Sequence, residues 1–244
     1  MAGTTKPTYG EPNWEMIQGW FQLSPEDDGP FWALNLMKYR TVAEYANPDG
    51  PAVSGKDADD AYAPLGPLAA VGAMVAFHGD VTDQRSGTPN WDRVAIVRYP
   101  SRAAFFAMQQ RDDFKDQHVH KEAGMEFTIV MSCLPTDFQP TDAGPAVDGT
   151  SERLVLSVER GDADPAPLPA GVTLAVDFAV EGVIVGDERS FDRARFVLVT
   201  DDAALAAFVS QAEAADEAHV MVVDREIDRL AGSINGAPAT SGRD

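Results

Sequence analysis

In NWEMIQGWFQL, Trp14, Ile17, Trp20 and Phe21 recur at three- and four-residue spacing, the stripe of one face of a short helix. The next apolar block, FWALNLMKY, is too short and too aromatic for that period and predicts a strand. After the loop NPDGPAVSG, Ser54 can cap a helix over about 56–71, with Asp57 near the positive end of its dipole. Pro64 and Pro67 break that helix or delay its start. GAMVAFHGDV predicts a second strand, DQRSGTPN a long hairpin connection, and WDRVAIVRYP a third strand closed by Pro100. Ser101 then caps a helix, RAAFFAMQQ, which continues or restarts as DDFKDQHVHKEA and stops at Gly124. MEFTIVMSCLP is a fourth strand. Strand, helix, strand, strand, helix, strand is the split βαβ, or ferredoxin-like, arrangement.

The second half repeats the pattern. Its strands are RLVLSVER, the extended, β-branched GVTLAVDFAVEGVIVGD, RARFVLVT and HVMVVDREI, and Asp201 caps the helix DAALAAFVSQAEAADEA. GDADPAPLPAG, with three prolines, cannot be the missing first helix. Trp91-Asp92-Arg93 recurs as Phe191-Asp192-Arg193, each behind a Gly-Asp pair, with the second hairpin the shorter. Recurrence in both halves argues for a folding role of Asp-Arg. The chain therefore divides into a loose tail and short helix (1–29), a first unit (30–135), a linker (136–151), a second unit with a degenerate first helix (152–231) and a flexible tail (232–244). A four-stranded sheet covered by helices on one face leaves its other face bare, and two such sheets can stack those faces and close an α+β barrel within one chain.

The formal net charge is −20, which repels phosphate backbones and anionic lipid and argues against nucleic-acid and membrane partners. No apolar run approaches a membrane span, the N-terminus has no signal core, and a single cysteine, Cys133, allows no internal disulfide. These features predict a soluble cytoplasmic protein, as a monomer (a pseudo-dimer) or a homodimer.

FWALNLMKYR, the Gly-Asp hairpin, VAIVRYPSRAAFFAMQQRDDF and FTIVMSCLP resemble the dimeric α+β barrel superfamily, and within it a functionally unassigned bacterial branch. The resemblance is strong over roughly 30–135 and weaker over 152–230. It implies an interior shared by two ferredoxin-like units and a choice among cofactor-free oxygenases, cyclases, isomerases, haem enzymes and plain ligand binders. The site itself has to come from side chains.

Alternation puts Trp32, Leu34 and Leu36 on one face of the first strand and Ala33, Asn35, Met37 and Tyr39 on the other. Asn35 and Tyr39 then either line a pocket or are satisfied structural groups. His78 alternates with Met74 and Ala76; it is a general base if their face is the barrel interior, and a strand-end histidine if it is not. His118, His120, Lys121, Glu122 and Glu126 form the densest polar cluster. His118 and Glu122 lie one turn apart and can pair, whereas His120 points elsewhere, so an H-x-H metal site is not expected. The bland alternative is a solvated helix end. Arg98 either holds a carboxylate or enolate or ends its strand in water.

The expected function is cofactor-independent acid/base chemistry on an aromatic or polyketide-like carbonyl compound. His78 or His118 would be the base, Glu122 its partner, and Asn35, Tyr39, Arg98 and His120 would contact the ligand around one cavity of the first half. One rival is a non-catalytic ligand-binding or structural barrel. Another is a haem protein with His118 or His120 as axial ligand. No glycine-rich dinucleotide fingerprint is present.

Overall fold

A computed structural model describes residues 9–47, 49–140, 152–161 and 166–236. The expected linker lies mostly outside them, as does the C-terminal tail beyond residue 236. The chain runs β1 (Glu11–Pro12), α1 (Trp14–Trp20), β2 (Phe31–Tyr39), α2 (Gly55–Ala61), α3 (Leu65–Ala70), β3 (Met74–Ser86), β4 (Arg93–Tyr99), α4 (Arg102–Gln110), α5 (Asp112–Gly124) and β5 (Met125–Pro135). It continues through β6 (Arg153–Arg160), β7 (Val172–Gly186), β8 (Arg193–Val199), α6 (Asp202–Ala212), β9 (Glu217–Val223), β10 (Ile227–Asp228) and α7 (Leu230–Ile234).

Local signals explain the boundaries. Ser54 forms a capping box with Asp57, and Ser101 and Asp201 each accept from the backbone N–H three residues on. The helix expected over 56–71 is two short helices, because residues 62–64 break it ahead of Pro64. Tyr9 and β1 are not a loose tail: the Tyr9 carbonyl accepts from Thr128 N, and β1 pairs with β7.

Strands β2 to β9 close an antiparallel barrel. The order is β7-β5-β2-β4-β3-β9-β6-β8, and β8 returns to β7. Within the first half the order is β5-β2-β4-β3, within the second β9-β6-β8-β7, and the halves join through β5–β7 and β3–β9. Closure removes every long edge that would otherwise invite pairing with another chain. The inward faces carry Leu34, Ile96, Met131, Leu156, Phe196 and Met221, all fully buried in one apolar cluster. Helices α1 to α5 cover the outer face of the first half, and α6 covers that of the second.

Two details correct the sequence reading. The hairpins span 87–92 and 187–192, so the second is not shorter, and Gly79-Asp80 sits inside β3 instead of beside its turn. A bulge between Val75 and Phe77 shifts the register of β3 against β4. Phe77 therefore opposes inward-facing Ile96, and His78 opposes Ala95 on the outer face.

The repeated Asp-Arg serves each half alike. The Asp92 and Asp192 N–H groups donate to Met37 O and Glu159 O, and their carbonyls accept from Val81 and Val180. Arg93 and Arg193 then reach carboxylates, Asp80 and Asp177 respectively, through Nε at 2.7 Å in each case.

Helices α2 and α5 meet at glycine. A Cβ on Gly124 would collide with the Gly55 carbonyl, and one on Gly55 with the carbonyls of Arg40 and Gly124. This contact fixes how closely the start of α2 approaches the end of α5. Gly124→Ala is expected to lower stability by about 1–3 kcal/mol in urea denaturation. An unchanged midpoint would show that the two helices separate freely.

Candidate functional site

The barrel interior leaves little for a polar ligand. At one end α7 packs over it: Trp32 Nε1 donates to Ser233 Oγ at 2.9 Å, and Leu230 joins the inner cluster. At the other end His219 is fully buried between Trp91 and Phe191. Its Nδ1 accepts from Trp91 Nε1 at 3.0 Å, so its proton sits on Nε2, facing Glu217 at 3.4 Å. Burial lowers its pKa, with the Arg189 charge adding to the effect. The imidazole is thus a neutral piece of the plug. Arg189 lies over the rings of Trp91 and Phe127 and pairs with Asp187, closing that mouth.

The groups with chemistry to offer lie outside, between α5 and the outer face of β2. Helical spacing puts Phe114, His118 and Lys121 on one side of α5, where they meet Tyr9 from the N-terminal segment and Tyr62 from the end of α2. His118 Nε2 is 3.1 Å from the Tyr9 hydroxyl and 4.0 Å from Glu122 Oε1, while its Nδ1 is buried with no partner among the described residues. Burial, helped by the Lys121 charge, lowers the His118 pKa from 6.5 to about 4, so the ring is neutral at pH 7. The side chain keeps 24% of its surface exposed, although Nδ1 itself is buried.

Lys121 Nζ donates to Asn35 Oδ1 at 3.4 Å and sits 5.6 Å from the centre of the Tyr62 ring and 5.9 Å from that of Tyr9. Among the described residues no carboxylate lies within 4 Å of it. Burial lowers its pKa, against the pull of Asp59. The Glu122 carboxyl is raised by burial. The phenols of Tyr9 and Tyr62 are both raised by burial and stay protonated.

Of the residues singled out from sequence, the structure brings Asn35, His118 and Glu122 into this layer. His78 is elsewhere: the bulge turns it away from Met74 and the barrel interior, and its Nδ1 lies 2.8 Å from Glu226 at the surface. Arg98 opposes inward-facing Trp32 and stacks on its ring at 5.7 Å, across the sheet from Asn35. His120 leaves the layer and meets the Tyr45 hydroxyl at 2.8 Å. Tyr39 is buried, and its hydroxyl donates to Asp59 at 2.6 Å. Asp59 also receives Arg93 Nη1 at 3.1 Å, and Arg93 reaches Asp60 and Asp80 at 2.7 Å each, so Tyr39 belongs to an ionic network that is buried at Asp59 and Arg93 and reaches the surface at Asp60 and Asp80. The expected single cavity therefore does not gather all of its proposed groups. Haem fits this layer poorly, since His118 gives Nε2 to Tyr9 and its ring is covered by Phe114 and Tyr62.

Tyr9, Tyr62 and Lys121 were not assigned a role from sequence. Lys121 carried a usable signal, being three residues from His118 on the same helix face. The tyrosines come from distant segments and carried none.

No family model matches the chain, and no curated protein matches it. Among solved structures, a protein of unknown function from Rhodopseudomonas palustris is 26% identical, with 55% of this chain and all of that one covered at a TM-score of 0.46. A mutant chlorite dismutase from Candidatus Nitrospira defluvii is 7% identical, with 90% and 98% covered at 0.44. Among the described residues no helix is long and apolar enough to cross a membrane.

Proposed function

We propose that the protein is a small-molecule enzyme that moves a proton on a carbonyl compound in the layer between α5 and the outer face of β2. The observation that carries this reading is the His118 ring: neutral at pH 7, anchored through Nε2, and left with a buried Nδ1 that no described residue satisfies. A neutral imidazole with its proton on Nε2, towards the Tyr9 oxygen and Glu122, has its lone pair on Nδ1 and is a general base. Lys121, with no described carboxylate in ion-pair distance, supplies the positive charge an enolate oxygen needs, and Asn35 orients it. The aromatic walls, Tyr9, Tyr62 and Phe114, favour an aromatic or polyketide-like substrate. The reading requires no dissociable cofactor. His78, Arg98 and His120 take no part in it, and Tyr39 acts only through Asp59.

We also read the chain as two tandem ferredoxin-like units, over 30–135 and 152–231, on the matching strand orders and the equivalent Asp-Arg pairs. Because the chain closes its own barrel, a monomer is sufficient.

The test is turnover of a panel of phenolic and β-diketone compounds. His118→Ala should lose activity and His78→Ala should keep it. Equal activity in the two variants removes the assignment, and a Soret band in the purified protein would replace it with a haem function.

A further inference from the structure

The amine of Lys121 is in an unusual place. It lies under α5 between two tyrosine rings, its one polar partner among the described residues is the neutral amide of Asn35, and no described carboxylate is within ion-pair distance. Other lysines differ: Lys38 pairs with Asp92, Lys56 with Asp80, and Lys115 with Asp112 at the surface. Burying a cation without a counter-charge is costly, and the cheapest remedy is to give up the proton. The charged and titratable groups around it are His118 and Glu122 on its own helix, Asp59 on α2, and the protonated phenols of Tyr9 and Tyr62. Only Asp59 pulls it back towards the ammonium, and Asp59 is already engaged by Arg93 and the Tyr39 hydroxyl. A desolvated lysine of this kind is a nucleophile towards carbonyl carbon.

We propose that Lys121 captures the substrate covalently, as an imine, and that the substrate class is an aryl-substituted ketone or aldehyde that carries a hydrogen on the carbon next to its carbonyl. This rests on the proton-transfer reading above and changes one part of it: the positive charge is carried by a protonated imine in place of a free ammonium, and the product of proton removal is an enamine in place of an enolate. The Nζ lone pair attacks the carbonyl carbon, the C=O π pair moves to oxygen, and that oxygen takes a proton. The nitrogen loses one proton to give the carbinolamine, the hydroxyl takes a second proton and leaves as water, the nitrogen gives up its remaining proton, and C=N remains. Amine plus carbonyl gives imine plus water, with no oxidant or reductant. Protonated, the imine draws the electron pair from an adjacent C–H bond as the His118 Nδ1 takes the proton, giving an enamine. Return of a proton to that enamine and hydrolysis restore the free amine. Lys121 and His118 are one turn apart on α5, so one bound molecule can meet both. An ester or a phenol could not form the imine.

The test uses the full-length protein at neutral pH with benzaldehyde as probe and sodium cyanoborohydride to reduce any imine to a stable amine. Peptide mapping then reads the mass of one benzyl group on each lysine. Lys121 is expected to be labelled about fivefold or more faster than Lys115 in the same sample. His118→Ala should keep the label, whereas Lys121→Arg should lose it at that position alone. Labelling of Lys121 no faster than Lys115 overturns the proposal, and the comparison within one protein does not depend on any variant folding. Were His118→Ala to abolish turnover while Lys121 stays unlabelled, the proton-transfer reading would stand and the imine would fall. The converse, a labelled Lys121 with turnover indifferent to His118, would keep the imine and remove the base.

Discussion

Arg93→Ala is expected to cost the fold about 3–5 kcal/mol, the range found when one partner of a buried ion pair is removed. Only 2% of the Arg93 side chain is exposed, and it serves Asp59, Asp60 and Asp80 at once while lying 5.5 Å from the Tyr39 ring centre. Without it the buried Asp59 retains the Tyr39 hydroxyl and no cation, and Asp80 retains Lys56. In a chain of this size the loss corresponds to a fall in melting temperature on the order of 10 °C. Arg93→Lys should fall between, since an ammonium lacks the fork that spans separate carboxylates. Thermal melts of the two variants check this. If Arg93→Ala melts within a degree or two of the parent, the network is ornamental and the repeated Asp-Arg has no folding role.

The same network shows why the fold was more legible than the site. Each strand of the barrel, the three helix caps and the Asp-Arg repeat are written in short windows, where period, capping residues and prolines speak locally. Whether the barrel closes within one chain follows from two bare sheet faces, which the pattern also shows. Side-chain direction is different. One extra residue at Ala76 turned His78 from the interior to the surface, and no local pattern in MVAFHGD announces that bulge. Arg98 was misplaced for a related reason: its strand alternates regularly, but which face turns inward depends on the neighbour, and Trp32 opposite it faces in. The α5 cluster was half visible. Helical spacing joined His118 to Glu122 and would have joined Lys121, yet Tyr9 sits 109 residues away in a segment that read as a tail, and only the folded chain lays it on the ring.

His118→Ala is expected to lower kcat/KM about 10²–10⁴-fold, the usual contribution of a positioned general base. The pH dependence is the sharper check, because burial has moved this imidazole to about 4 from 6.5. The neutral ring is the active form, so activity limited by His118 should stay level as the pH drops from 7 through 5 and fall only as it passes about 4. An ordinary exposed histidine would place that limb between 6 and 7. Stability carries the same signature. Below pH 6.5 the unfolded chain binds a proton at His118 that the folded chain refuses until about pH 4, so the folded state loses stability across that window, by up to about 3 kcal/mol. Above pH 6.5 both states are neutral there and the group contributes no slope. His118→Gln removes the titration and keeps a polar side chain facing Tyr9, so its urea midpoint should decline less steeply from pH 6.5 to 4 than that of the parent. Parallel declines in the two proteins would mean that His118 charges freely in the folded state, and a ring that charges freely near pH 6.5 is neither desolvated nor the base assigned to it.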